Sequence, residues 1–184
     1  MTFERVLESD LPSRIRAAIR DVPDFPKRGI VFKDITPLLA DASLFRATTE
    51  AMARPFEQQG ITHVVAIESR GFILGAPVAQ LLGTGFVPVR KAGKLPAKTE
   101  VEEYALEYGT DQLEMHSDAC DWSRAPRVLI VDDVLATGGT ADATRRLVER
   151  LGGHVAGFSF LMALGFLSGL ERLRGRTLSA LVTY

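Results

Sequence analysis

Cysteine is almost missing from these 184 residues. Cys120 stands alone, so no internal disulfide can form and the chain fits a reducing compartment. It lies in a polar connector with no adjacent histidine, which argues against a nucleophilic role. Histidine is scarce too, and His63, His116 and His154 are too scattered in sequence for a metal cluster. Any metal is expected to arrive with a substrate. Charge of one sign is not in excess: 22 Lys and Arg stand against 23 Asp and Glu, a net charge of −1. Tracking along nucleic acid by bulk charge is thereby disfavoured, and small molecules are the expected partners. Long apolar runs are also absent. The longest uncharged segment, 155–170, is shorter than the ~20 residues of a spanning helix and is interrupted by Gly157, Gly165 and Gly169. No membrane partner is expected. Met1 to Asp10 is charged and holds no apolar stretch of the secretory kind, so a cytoplasmic protein is expected.

What the chain does contain is a hydrophobic content of 46%, enough for one globular domain over 1–184 with a substantial core. Its most informative run is Arg127 to Thr140. Val128 to Val131 is a continuous aliphatic stretch without alternation, read as a strand covered on both faces, as in a parallel sheet. Asp132 and Asp133 close it at the end where open α/β sheets bind ligands. Ala136-Thr137-Gly138-Gly139-Thr140 then supplies small residues whose amides can approach a ligand, and a helix is expected over Ala141 to Arg150. A loop feeding a helix N-terminus favours an anion such as phosphate. Two carboxylates beside that phosphate would repel it unless they face hydroxyl groups or a divalent cation. A phosphorylated sugar supplies all three partners. No Lys follows the glycines, so the run is not a Walker loop.

This stretch resembles the phosphoribosyl pyrophosphate motif of the type I phosphoribosyltransferases. The resemblance implies that Asp132 and Asp133 face the ribose hydroxyls while Ala136, Thr137, Gly138, Gly139 and Thr140 hold the 5′-phosphate. It also implies the fold class: α/β, a central mainly parallel sheet flanked by helices, with a small N-terminal hood (about 1–40) and a flexible lid hairpin (about 91–115).

Elsewhere the grammar repeats. Val64 to Ile67 reads as a second buried strand ending in Glu68-Ser69-Arg70-Gly71 ahead of a helix, a second anion site suited to departing pyrophosphate through Arg70. A third strand, Phe86 to Arg90, runs into Lys91-Ala92-Gly93-Lys94-Leu95-Pro96-Ala97-Lys98. A cation run leaving a strand end with Gly and Pro in it suits a mobile lid over phosphates, with Arg90, Lys91 and Lys94 as pyrophosphate partners. Tyr104 to Tyr108 and Gln112 to Met115 alternate as a hairpin around Gly109-Thr110. Ser43 to Gln59 reads as a helix in which Pro55 should kink or shorten the last turn. Asp10-Leu11-Pro12 reads as a helix start. His154 to Met162 and Thr177 to Val182 read as the last strands, the final one at an edge.

The segments Asp24 to Ile30 and Phe32 to Leu38 are similar to the hood of the adenine phosphoribosyltransferases within that family. By that similarity Phe32 stacks on the adenine ring, Val31 and Lys33 offer main-chain groups to its edge, and Leu164 covers its second face. Leu106-Glu107-Tyr108-Gly109-Thr110 also matches, implying that Glu107 approaches the purine proton and Tyr108 helps close the loop. Taken alone, Glu107 is an ordinary strand residue. The similarity frays near the end: where the family carries Glu-Leu and an arginine after the glycine, this chain has Ala163-Leu164 and Gly169-Leu170.

The expected reaction is transfer of the 5-phosphoribosyl group from phosphoribosyl pyrophosphate to N9 of adenine, giving AMP and pyrophosphate. Glu107, Asp132 and Asp133 are the expected catalytic residues. Mg²⁺ is expected to be held mainly by substrate, with Asp132 and Asp133 reaching it through water, and the family implies a homodimer. Two other readings stay open: a xanthine or guanine phosphoribosyltransferase, and a non-catalytic regulator that binds phosphoribosyl pyrophosphate.

Overall fold

The structure, a computed structural model, describes residues 3–106 and 109–184, with side chains described for 10–104 and 110–184. The chain divides into two compact units, residues 1–51 and 52–184.

The smaller unit holds helix α1 (Phe3–Ala18), strands β1 (Arg20–Pro23) and β2 (Val31–Asp34), helix α2 (Thr36–Ala40) and most of helix α3 (Ala42–Ala53). Helix α1 begins earlier than the Asp10-Leu11-Pro12 signal predicts, and Pro12 lies inside it. An interior proline removes one amide hydrogen bond and crowds the carbonyl four residues earlier, so α1 carries a local cost there. Ile15, Ile35 and Leu38 are fully buried here. β1 and β2 pair antiparallel, Pro23 opposite Val31 and Arg20 opposite Asp34. Asp34 locks the end of that ladder. Its carboxylate accepts from the Thr36 amide at 2.9 Å and from Arg20 Nη2 at 2.6 Å, and those two hydrogen bonds hold its pKa down to about 2. Asp41 caps α3 by accepting from the Ser43 and Leu44 amides at 2.9 and 3.0 Å. The helix expected to reach Gln59 stops at Ala53, and Pro55 lies in a short 3-10 turn over Arg54–Phe56 that follows it, a larger shortening than one last turn.

The larger unit is built on a seven-stranded sheet of β3 (His63–Ile67), β4 (Gly85–Lys91), β5 (Thr99–Leu106), β6 (Gly109–His116), β7 (Arg127–Leu135), β8 (His154–Ala163) and β9 (Leu178–Thr183), in the order β5-β6-β4-β3-β7-β8-β9. All ladders from β4 through β9 are parallel, and the β5–β6 hairpin adds antiparallel to β4. Helix α4 (Arg70–Leu82) joins β3 to β4, α5 (Gly139–Arg150) joins β7 to β8, and the four-residue α6 (Gly169–Arg172) precedes β9. The central strands β3 and β7 are buried almost end to end, Val64, Val65, Ala66, Val128, Leu129, Ile130 and Val131 all at 0% exposure. That explains their unalternated sequences. The hairpin differs from expectation, because Gly109 and Thr110 already pair within β6, opposite Leu106 and Ala105.

From neighbouring β3 and β7 the chain leaves in opposite directions, through α4 toward β4 and through α5 toward β8. Right-handed crossovers then put the two helices on opposite faces, and a crevice opens between the carboxyl ends of β3 and β7. Among the described residues no helix is long and apolar enough to cross a membrane.

Candidate active site

Strand β7 does not end at Asp132 and Asp133 as its sequence suggests. It runs on to Leu135 and stays paired with β8 as far as Leu135 opposite Ala163, whereas its ladder with β3 ends at Val131 opposite Ala66. Asp132 and Asp133 therefore sit inside a strand that has lost its partner on one side, at the mouth of the crevice. The N-terminus of α4 fills the space beside them. A Cβ on Gly71 would meet Asp132 Oδ1 at 2.8 Å and the Val131 carbonyl at 3.1 Å, so only glycine allows this approach.

The two acids differ. Asp133 is 3% exposed, and Arg70 Nε lies 2.8 Å from its Oδ2 as an ion pair that lacks hydrogen-bond alignment. Asp132 is half-buried, its Oδ1 accepting from the Asp133 amide at 2.9 Å. Burial, then the charge of Asp133, pushes the Asp132 carboxyl well above the ordinary carboxylate range. Burial also raises Asp133, with Arg70 opposing. Such a pair is costly to ionise together unless a cation or hydroxyl groups face it.

After β7 the chain turns through 136–138 into α5. Gly138 has φ of 76° and serves as the helix cap with no side-chain hydrogen bond to the first-turn amides. Those amides are thus open to an anion. Asp142 in the first turn would oppose an anion, but its carboxylate is engaged by Arg145 and Arg146. Helix α6 backs the turn: a Cβ on Gly169 would fall 2.2 Å from the Ala136 carbonyl oxygen, and Arg172 Cδ lies 3.2 Å from where a Gly138 Cβ would be. Sequence reasoning gives Gly169 no role beyond a break in an apolar run and does not single out Arg172, because nothing local marks a contact made across the sheet end.

Each cation expected at the pyrophosphate subsite faces a carboxylate. Arg70 pairs with Asp133; Lys91 Nζ lies 3.1 Å from Asp111 Oδ2; Arg90 Nε and Lys94 Nζ both reach Glu68, at 2.7 and 3.0 Å. Tyr104 donates to Asp111 at 3.3 Å and also bonds with the Thr140 side chain, which links the hairpin to the small-residue turn. Glu102, in the same strand, is engaged by Arg146 and Arg150 of α5. Sequence reasoning missed Asp111 and gave Glu68 no task. Acids in alternating strands look solvated until the fold shows what faces them.

The remaining expected residues fall elsewhere. Leu164, half-buried, donates its amide to the Leu135 carbonyl at 2.9 Å, which sets it directly behind the end of β7. Ala163 is fully buried opposite Leu135, in surroundings that suit a methyl group. Val31, Phe32 and Lys33 lie on β2 in the smaller unit. Val31 and Lys33 are two apart, so their main-chain groups leave the same strand edge. The Phe32 ring packs edge-on to Phe25 with centroids 5.1 Å apart, and Lys33 Nζ donates to Asp21 at 2.7 Å. Glu107 and Tyr108 lie outside the described residues.

Comparison with known proteins agrees with this geometry. A family model described as the phosphoribosyl transferase domain matches residues 35–165. The adenine phosphoribosyltransferase of Myxococcus xanthus is 56% identical over 177 residues, 96% of this chain and 95% of that protein. The crystal structure of the adenine phosphoribosyltransferase from Rhodothermus marinus is 54% identical and superposes with a TM-score of 0.91, over 96% of this chain and 99% of that one. The Saccharomyces cerevisiae enzyme, crystallised with adenine and an imino-altritol bisphosphate, is 37% identical with a TM-score of 0.87, over 94% and 99% of the two chains. A crevice at the sheet's switch point, paired acids beside an anion-binding turn, and near-full-length identity above half lead to one conclusion: this chain belongs to the adenine phosphoribosyltransferases of the phosphoribosyl transferase domain family.

Proposed function

We propose that the chain transfers the 5-phosphoribosyl group of phosphoribosyl pyrophosphate to N9 of adenine, releasing AMP and pyrophosphate, a purine salvage reaction. The observation that carries this reading is the pair Asp132 and Asp133 beyond the end of the β3 ladder, directly before a turn that presents unpaired amides at the start of α5. A sugar phosphate satisfies both halves, with hydroxyls to the acids and phosphate to the amides. Similarity to an enzyme crystallised with adenine favours adenine over xanthine or guanine.

In this mechanism departure of pyrophosphate runs ahead of bond formation to the purine nitrogen, leaving oxocarbenium-like charge on the ribose. The acids orient the ribose hydroxyls and lend negative field near C1, a preorganised stabilisation of that charge. Ala136 to Thr140 hold the 5′-phosphate. Arg70, Arg90, Lys91 and Lys94 answer the leaving group. Residues 91–115 act as the lid that keeps water from capturing the sugar cation, and the hood of about residues 1–40 supplies Val31, Phe32 and Lys33 to the base, with Leu164 on its second face. Glu107 manages the purine proton and Tyr108 helps close the lid. The carboxylates of Asp132 and Asp133 are hard oxygen donors suited to Mg²⁺, directly or through water. The remaining ligands of the ion would be oxygens of the diphosphate and ribose of the substrate. When bound, it neutralises phosphate charge.

A base panel tests the assignment. With phosphoribosyl pyrophosphate and magnesium supplied, adenine alone should yield a nucleotide. Formation of GMP or XMP in place of AMP would assign the chain to another branch, and binding without turnover would make it a regulator. We further propose a cytoplasmic homodimer. Ile73 and Leu81 of α4 and Phe86 of β4 are exposed apolar residues at 44%, 50% and 38%, a surface that a second copy would cover. Sedimentation should read twice the chain mass, and a monomer at micromolar concentration would count against it.

A further inference from the structure

Glu68 has a buried side-chain charge that the mechanism above leaves without a task. Its side chain is 7% exposed, against 50% for Lys94 and 36% for Arg90, the two cations it holds. Oε2 accepts from Arg90 Nε at 2.7 Å and Oε1 from Lys94 Nζ at 3.0 Å, and the Lys91 amide donates a third hydrogen bond. Burial by itself would raise the pKa of this acid, but the bonds from Arg90, Lys94 and the Lys91 amide outweigh it and hold the group ionised.

Lys94 is fixed at its other atoms as well. Its amide donates to Glu114 Oε1 at 2.7 Å, and its carbonyl accepts from Arg90 Nη1 at 3.0 Å. Glu114, 4% exposed, also takes the Leu95 amide at 2.7 Å. The main chain of 94–95 is thus anchored by one buried acid while the ammonium is held by another. Of these groups the Lys94 ammonium, half-exposed at 50%, is the more accessible to an incoming anion.

We infer that Glu68 is a counter-ion that positions Arg90 and Lys94 before substrate arrives and surrenders Lys94 to the pyrophosphate group on binding. The inference rests on the proposed transfer from phosphoribosyl pyrophosphate. Arg90, Lys94 and Glu68 together carry one net positive charge. A diphosphate with several negative charges outcompetes a single carboxylate for the half-exposed ammonium, and Arg90, tied at both Nε and Nη1, stays as the fixed point. Release of pyrophosphate is the reverse step, in which the carboxylate recovers Lys94 and lowers the cost of losing the anion. Glu68 acts through the two cations and need not touch substrate.

Glu68→Gln tests this. The exchange partner is lost and the local charge rises by one, so the inhibition constant for pyrophosphate should fall about five- to tenfold. kcat should fall with it as release slows, the KM for adenine should stay within about twofold, and Glu68→Asp should restore most of the wild-type inhibition constant. An unchanged or weakened pyrophosphate constant in a variant that melts normally would overturn the inference and make Glu68 purely structural. A second measurement needs no variant. In crystals of the wild-type chain soaked with pyrophosphate, Lys94 Nζ should leave Glu68 for a phosphate oxygen, and an intact Glu68–Lys94 pair beside bound pyrophosphate would refute it. If the wild-type chain gives no AMP at all, the proposed function fails instead.

Discussion

Replacing both acids, Asp132→Asn with Asp133→Asn, should lower the rate of pyrophosphate release by about 10³-fold or more, roughly 4 kcal/mol of transition-state stabilisation, and should make the protein more heat-stable. The two effects share a cause. Burial raises both carboxyls above the ordinary range, which means that folding works against their ionised forms. For an acid whose folded pKa exceeds its unfolded value, the penalty is absent below the unfolded pKa near ~4, grows as pH rises through the window up to the folded value, and is complete above it. The amide variant escapes that penalty. Its melting temperature should therefore exceed wild type at pH 7, with the difference closing below about pH 4. Loss of the Asp133 partner leaves Arg70, which is 31% exposed and can turn to water. Turnover within tenfold of wild type would remove the acid pair from the mechanism, and a melting temperature below wild type at pH 7 would show that the pair supports the fold.

How much of this was readable in advance follows from the range of each interaction. The buried strands at 64–67 and 128–131 and the break at Pro55 are local: each follows from residues within a few positions, and the strands lie where expected, whereas Gly139 and Thr140 of the turn expected over 136–140 belong to the first turn of α5. Strand β7 ran past its predicted end because pairing with β8 continues where pairing with β3 stops, a fact about the neighbours of β7 that the run Val128 to Asp133 does not contain. Helix α1 starts at Phe3, before the Asp10-Leu11-Pro12 signal, so that signal marks no helix start in the fold. The countercharges were least visible. Glu68 and Asp111 sit beside lysines and arginines that are 20 or more positions away in sequence, and only the assembled sheet brings each pair within hydrogen-bond reach.

The uncharged segment 155–170 gives the sharpest instance, and the prediction that follows from it. In sequence Gly169 reads as a turn residue that interrupts an apolar run. In the fold its Cα backs the anion turn so closely that a methyl group would lie 2.2 Å from the Ala136 carbonyl oxygen and 2.9 Å from Leu135 Cγ. Backbone cannot retreat there without moving the turn, because the Leu135 carbonyl is tied to the Leu164 amide at 2.9 Å and a Gly138 Cβ position already meets Gly169 Cα at 3.1 Å. Gly169→Ala should therefore cost about 1–3 kcal/mol of stability through overpacking. It should also lower kcat/KM for phosphoribosyl pyrophosphate by about 100-fold, since displacing binding groups by an ångström is worth that much. Gly175→Ala is the control. Gly175 has φ of 80° but nothing within 4 Å of its would-be Cβ, so alanine there should cost roughly 1 kcal/mol in backbone strain and leave the kinetics alone. Steady-state kinetics and thermal melts on both variants separate the outcomes: if Gly169→Ala loses stability yet keeps its kcat/KM, the turn backed by α6 does not hold the 5′-phosphate.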